Sequence, residues 1–335
     1  MWADAPARMC VKPCACINEL ARQNATYYKP ADSADRLRLV KMTALTPVTT
    51  LRSLNGETAA ATIDPEVYIT TNGRERQHNL KVLNLLQASF TNETKDQQFL
   101  DLGCGTGDFT RDHLLPRCPD VERIVAVDVS QDMLEYAKEH FAHSKICYDV
   151  LDISGNGVAD FVQRYGQFDR VYSFFCLNWL VDQEKGFDNI AELMKPGGGC
   201  LLFFAASSND MRLRSRLATI TNWQKYRKAL ENTIPPSANL KDRDALLVYM
   251  RNLLKKTCLT VTTCEVLEVA CTFSCVEELT DRLMEMCYLS TLVTDEEKPL
   301  LLEHVAQYAA ESWSGEGTSR PHLSCKMFLV RADKP

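Results

Sequence analysis

Between Gln98 and Ser207, five apolar strand-like runs alternate with helical patterns in roughly 110 residues. The runs are QFLDLGC, RIVAVDVS, SKICYDVLDIS, FDRVYSFFCLNWL and GCLLFFAAS. This alternation dictates βαβ units, because parallel neighbours need a crossover and the crossovers cover both faces of the sheet. Right-handed crossovers put every strand's carboxyl end on one rim, where ligands collect. A helix with Leu80, Leu83, Leu86 and Phe90 at helical spacing leads into the first strand. QDMLEYAKEHF follows Ser130, which can cap it. DFTRDHLLPRC begins as a helix, and GFDNIAELMKPGG is a helix closed by Pro196 and glycines. After Ser207 the pattern changes to a polar and aromatic insertion over the rim, about 208–245. DRDALLVYMRNLLKKTCL is a helix, TVTTCEVLEVACTFS a long strand, and 276–311 a helical region. HLSCKMFLVRA closes the chain as a strand expected to run antiparallel near an edge.

A length of 335 residues fits one α/β domain with an appendage. The net charge of −6 disfavours a nucleic-acid backbone as partner. No apolar run reaches the ~18 residues of a membrane span. The 14 cysteines include no C-x-x-C pair, and Cys14/Cys16 and Cys271/Cys275 lack histidines at metal-ligand spacing. Free, reduced thiols in a cytosolic protein are the expectation, with no metal site and with the sequons at Asn24 and Asn92 unused. Residues 1–64 lack strand or helix period and read as a poorly ordered extension before a domain of residues 65–335.

The first strand runs into three glycines on alternate positions, Gly103, Gly105 and Gly107. Glycines there let backbone approach a ligand with no Cβ in the way. A dinucleotide loop reads G-x-G-x-x-G, whereas here the third glycine comes one residue early. The run Asp101-Leu102-Gly103-Cys104-Gly105-Thr106-Gly107 resembles the first motif of class I S-adenosylmethionine-dependent methyltransferases, D/E-x-G-x-G-x-G. The resemblance implies a Rossmann-like seven-stranded sheet, mostly parallel with an antiparallel last strand, and S-adenosyl-L-methionine as cofactor. Acids at successive strand ends suit a cationic ligand, the reverse of a pyrophosphate site. On this reading Asp101 takes the methionyl ammonium, Asp128 the ribose hydroxyls, and Asp152 with Ile153 the adenine. Cys104, Val129 and Ser173 complete the shell.

Past the fourth strand, SFFCLNWLVDQ resembles the arthropod juvenile hormone acid O-methyltransferases, whose segment is SFYCLHWVQDQ. YITTNGRERQ and NWQKYRKALENTIPP are similar to further family segments, so the resemblance spans about 66–330. It implies that Gln77 and Trp179 bind the carboxylate of an isoprenoid acid; Asn178, standing where the family has histidine, leaves open another small acid or small molecule as acceptor, or a cofactor-binding protein without turnover. IPP at Ile234–Pro236 and the stretch Lys256–Leu259 also depart from the family pattern. Trp223 and Tyr226, at i and i+3, could line an apolar channel for an isoprenoid tail or hold the insertion to the sheet. Phe174, Phe175 and Leu177 read as core.

Overall fold

The computed structural model describes residues 63–90, 96–314 and 322–335. Almost all of the expected extension, the sequons, Cys14/Cys16 and the Cys271 side chain lie outside what is described.

One mixed sheet organises the chain: β1 (Gln97–Leu102), β2 (Val121–Asp128), β3 (Ile146–Val150), β4 (Phe168–Phe174), β5 (Met194–Ser207), β6 (Thr260–Thr272) and β7 (His322–Asp333). Their order is β3-β2-β1-β4-β5-β7-β6. β7 alone runs antiparallel, inserted between β5 and β6 and one place in from the edge. The strand order reverses beside β1, whose residues Phe99–Leu102 pair with Arg170–Ser173 of β4 and whose other side pairs with β2. Such a reversal opens a crevice at the carboxyl ends of β1 and β4.

All six residues of β1 are buried, as a strand covered on both faces requires. One face packs under α2 (Gly73–Leu86), with Val82, Leu83 and Leu86 on Phe99, Tyr172 and Phe203, and the short α1 (Pro65–Thr71) precedes it. The other face packs under α4 (Val158–Tyr165), α5 (Gln183–Leu193) and α8 (Arg243–Leu254) through Phe161, Phe187 and Leu246. α3 (Gln131–His140) covers β2 and β3, and Ser130 Oγ caps it by accepting from Met133 N at 3.3 Å, as its sequence predicts. A third apolar cluster joins α6 (Asn209–Leu217), α7 (Arg227–Glu231), α9 (Val276–Glu285) and α10 (Lys298–Ser314) above the carboxyl rim.

Two local expectations are corrected. The helix after the glycine loop passes through a π-helical turn, Thr110–Leu114, into a tight turn, Leu115–Arg117. Pro116 has no N–H to donate, so a regular helix cannot continue through it. The helix expected to run to Pro196 ends at Leu193, and the chain is extended from Met194. Among the described residues, no helix is long and apolar enough to cross a membrane. The described cysteines are free thiols.

Candidate active site

The loop after β1 carries the three glycines in left-handed conformations, with φ of 79°, 54° and 75°. Gly103 and Cys104 donate to the same carbonyl, Val127 O, at 2.8 and 2.9 Å, which pins the loop to β2. A Cβ on Gly103 would lie 2.4 Å from Cβ of Cys176, and one on Gly107 would lie 2.6 Å from the Tyr148 hydroxyl. At both positions glycine is therefore required for the close approach as well as for φ. Ser173 is buried, and its hydroxyl donates to Leu102 O at 2.9 Å, so it ties the ends of β1 and β4 together.

Three acids stand at three strand ends. Asp101 is 3% exposed and accepts from the Thr110 hydroxyl at 2.6 Å. Burial pushes its carboxyl up to about 7; the Thr110 hydrogen bond opposes the rise, and the charges of Asp128 and Asp108 add to it. Asp128 holds the Gly105 N–H at 2.9 Å and the Ser130 N–H at 3.0 Å, and burial raises its pKa against those bonds. Asp152 is exposed and accepts from both the amide and the hydroxyl of Ser154. Ile153 is buried, and its carbonyl accepts from Asn189 at 2.7 Å. Val129 is 54% exposed, an apolar side chain left open on the rim beside Asp128.

Facing this loop across a small polar cavity are Tyr68 of α1 and Asn72, Glu75, Arg76 and Asn79 from the start of α2. Asp101, Gly103, Cys104, Asp108, Phe109 and Phe174 complete the wall. The Tyr68 ring sits against Gly105, and burial raises its phenol well above the usual range. Arg76 pairs with Asp108 and donates to Asn72 Oδ1 at 2.7 Å. Glu75 Oε2, Arg76 Nε and Asn79 Oδ1 are sealed from solvent with no hydrogen-bond partner. Orphaned donors and acceptors in one cavity call for a ligand that supplies both kinds of partner. The amino-acid end of S-adenosyl-L-methionine, with its ammonium and carboxylate, fits that set.

Sequence reasoning missed these α1–α2 residues, although Asn72, Arg76 and Asn79 recur at helical spacing. Gln77, one position along, is exposed and does not line the cavity. A step of one residue turns the helix by about 100°, which carries Gln77 off the cavity face.

At the exit of β4, Phe175 takes a left-handed φ of 54° and turns the chain into Leu177–Trp179. Strain in a non-glycine residue at a strand end is a feature of functional sites. Asn178 is buried; with its amide oxygen toward the indole, it accepts from Trp179 Nε1 at 3.2 Å and donates to Phe175 O at 3.0 Å. The Trp179 ring lies 6.2 Å from that of Tyr288 and carries the Arg214 guanidinium at 4.6 Å. Phe174 both lines the cavity and packs in the core. Trp223 is fully enclosed in the cap's own cluster, where its N–H meets His304 Nδ1 at 3.1 Å. The Tyr226 hydroxyl donates to Glu297 at 2.7 Å. Of the two roles open to these aromatics, holding the insertion in place is the one the geometry gives; Trp223 lines no channel, because its cluster closes around it.

Residues 99–198 match the family model of a methyltransferase domain. Over 178 residues the chain is 30% identical to juvenile hormone acid O-methyltransferase of Bombyx mori, covering 53% of this chain and 63% of that protein. Over 143 residues it is 34% identical to the Drosophila melanogaster protein of the same name, covering 42% and 48%. The matches thus span less than two thirds of either relative. A solved structure of Haemonchus contortus phosphoethanolamine N-methyltransferase 2 with S-adenosyl-L-methionine is 19% identical, with a TM-score of 0.45, over 81% of this chain and 56% of that one. Motif, strand order and family match together make the domain that of a class I S-adenosylmethionine-dependent methyltransferase, with S-adenosyl-L-methionine as its cofactor and a resemblance to the juvenile hormone acid O-methyltransferases.

Proposed function

We propose that this methyltransferase esterifies the carboxylate of a sesquiterpenoid acid, such as farnesoic acid or a juvenile hormone acid. The observation that carries the reading is the pairing of Trp179 with Asn178 at the carboxyl end of β4. The group next to the tryptophan is an amide, which has no proton to take up at neutral pH, so it suits an acceptor that arrives already nucleophilic. A carboxylic acid of pKa ~4–5 is ionised at neutral pH and needs no base. The names of the two insect relatives point the same way.

In this scheme the bound cofactor supplies a methyl group on a sulfonium. Asp101 holds the ammonium, whose remaining hydrogens meet Glu75 Oε2 and Asn79 Oδ1, Arg76 Nε meets the carboxylate, Asp128 takes the ribose hydroxyls, and Asp152, Ile153 and Val129 flank the adenine. Gly103, Cys104, Gly105 and Gly107 give backbone access, and Ser173 keeps the loop and β4 in register. Trp179 presents an apolar edge and an N–H that an acceptor carboxylate would share with Asn178. Its work is to orient the oxygen and keep water out, the two contributions that such a transfer needs from a protein. Gln77, on the exposed side of α2, is not required. Free thiols suit a cytosolic setting.

The test is mass spectrometry of products from purified protein, S-adenosyl-L-methionine and a panel of farnesoic acid, juvenile hormone acid, linear fatty acids and short diacids. Methyl esters of the terpenoid acids are expected. Cofactor binding with no terpenoid ester would overturn the proposal.

A further inference from the structure

Arg214 lies in the middle of α6, directly above the exit of β4, and is 1% exposed. Its Nη2 donates to Asp210 Oδ2 at 2.9 Å and its Nη1 to Thr233 O at 2.7 Å. Nε is sealed from solvent and has no hydrogen-bond partner. The guanidinium lies 4.6 Å from the centre of the Trp179 ring.

A guanidinium buried only to tie α6 to its neighbours would pair with its aspartate through two nitrogens, the fork-to-fork arrangement that best offsets the loss of water. Here Asp210 engages one nitrogen, and its other oxygen takes the Ser208 hydroxyl. The cation is fixed by two bonds while one N–H goes without a partner and the planar face rests on Trp179. A cation over an indole face also strengthens the indole N–H as a donor, because it draws electron density from the ring. Asp210 balances the charge from the side of α6, and Tyr288 and Asn178, which also meet Trp179, are neutral.

We propose that Arg214 is the specificity-determining residue of the acceptor chamber, the fixed positive charge through which the Trp179 site selects an anionic acceptor over neutral analogues of the same shape. The inference rests on the carboxylate-acceptor reading above and adds the group that recognises the charge. It accounts for a site whose direct contacts to the acid are neutral and leave the oxygen nucleophilic, while the compensating charge stands one layer behind the indole.

The experiment compares wild type, Arg214→Met and Arg214→Lys. Farnesoic acid is the substrate, and the corresponding alcohol, farnesol, is a neutral competitor. Arg214→Met is expected to raise KM for the acid by about tenfold, less than the loss of a direct buried charge pair because the indole stands between the two charges. The inhibition constant of the alcohol and the affinity for S-adenosyl-L-methionine should stay as in wild type. Arg214→Lys should restore most of the acid's KM. Equal weakening of acid and alcohol without rescue by lysine would make Arg214 a structural brace and overturn the proposal; so would an unchanged KM. If methionine at 214 prevents folding, Asp210→Asn reads the same charge with opposite sign, and the acid should gain over the alcohol; an unaltered ratio overturns the proposal. Wild type that leaves the acid unmodified removes the carboxylate-acceptor reading itself, whereas wild-type turnover with an indifferent Arg214→Met removes only the role of Arg214.

Discussion

Replacing Asp101 with asparagine should stabilise the ligand-free protein and cripple it for its cofactor. Asp101 is 3% exposed, and burial moves its carboxyl from 3.8 to about 7. Below pH 4 both folded and unfolded chains carry the proton. Between roughly 4 and 7 the unfolded chain loses it and the folded chain keeps it, so stability falls as pH rises and levels off above about 7. The full shift corresponds to about 4 kcal/mol. Asparagine removes that cost but brings amide hydrogens beside the Thr110 hydroxyl, which costs about 1–2 kcal/mol if they are left unmet. The net gain is about 2 kcal/mol at pH 8, or about 3 °C in midpoint for a chain of this length, and it vanishes near pH 5. Thermal unfolding of both proteins at pH 5 and pH 8 reads this directly. Calorimetry should show S-adenosyl-L-methionine binding weakened by about tenfold to a hundredfold, because a charged acceptor is lost. In the wild type, affinity should rise with pH up to about 7 as the carboxylate forms. An Asp101→Asn protein less stable than wild type at pH 8, or a midpoint difference equal at the two pH values, would refute the reasoning.

Asp128→Ala should weaken cofactor binding by about tenfold or more, since it strips a charged acceptor and frees the Gly105 and Ser130 amides that the carboxylate holds; unchanged affinity in calorimetry would remove Asp128 from the site. Gly103→Ala should abolish cofactor binding in calorimetry through its Cβ collision with Cys176 and its left-handed φ of 79°; Cys176→Gly in the same chain removes the collision but not the backbone strain and should restore binding only in part, and Cys176→Ala, which keeps the Cβ, should restore none. Trp179→Phe should lower turnover by about tenfold while cofactor affinity holds, since it keeps the ring and loses the N–H; wild-type turnover would exclude the indole donor. Trp223→Phe should lower the thermal midpoint by the equivalent of about 1–3 kcal/mol through the lost bond to His304 and leave cofactor affinity intact; a selective rise in KM for the terpenoid acid would return Trp223 to the acceptor site.

The seven strands, the antiparallel course of β7, the Ser130 cap and the glycine loop are all legible in the chain. The strands, the cap and the loop depend on interactions within a few residues or on a periodicity of two or 3.6, whereas the direction of β7 is set by its pairing with β5 and β6 far along the chain. The placing of Asp101, Asp128 and Asp152 on one rim also follows from sequence alone, since parallel strands joined by right-handed crossovers can end nowhere else. What the sequence could not phase was the rotation of α2: Arg76 and Gln77 are neighbours in the chain, yet one faces the cavity and the other solvent. That rotation is decided by Val82, Leu83 and Leu86 packing on the sheet and by the Glu75–Arg282 pair, whose members lie 207 positions apart. The enclosure of Trp223 depends on His304, 81 positions away, and the stacking of Arg214 on Trp179 on how the cap settles over the rim. Local chemistry fixes which element a residue belongs to. Which way its side chain looks is set by packing between segments far apart in the chain, and that exists only once the fold has closed.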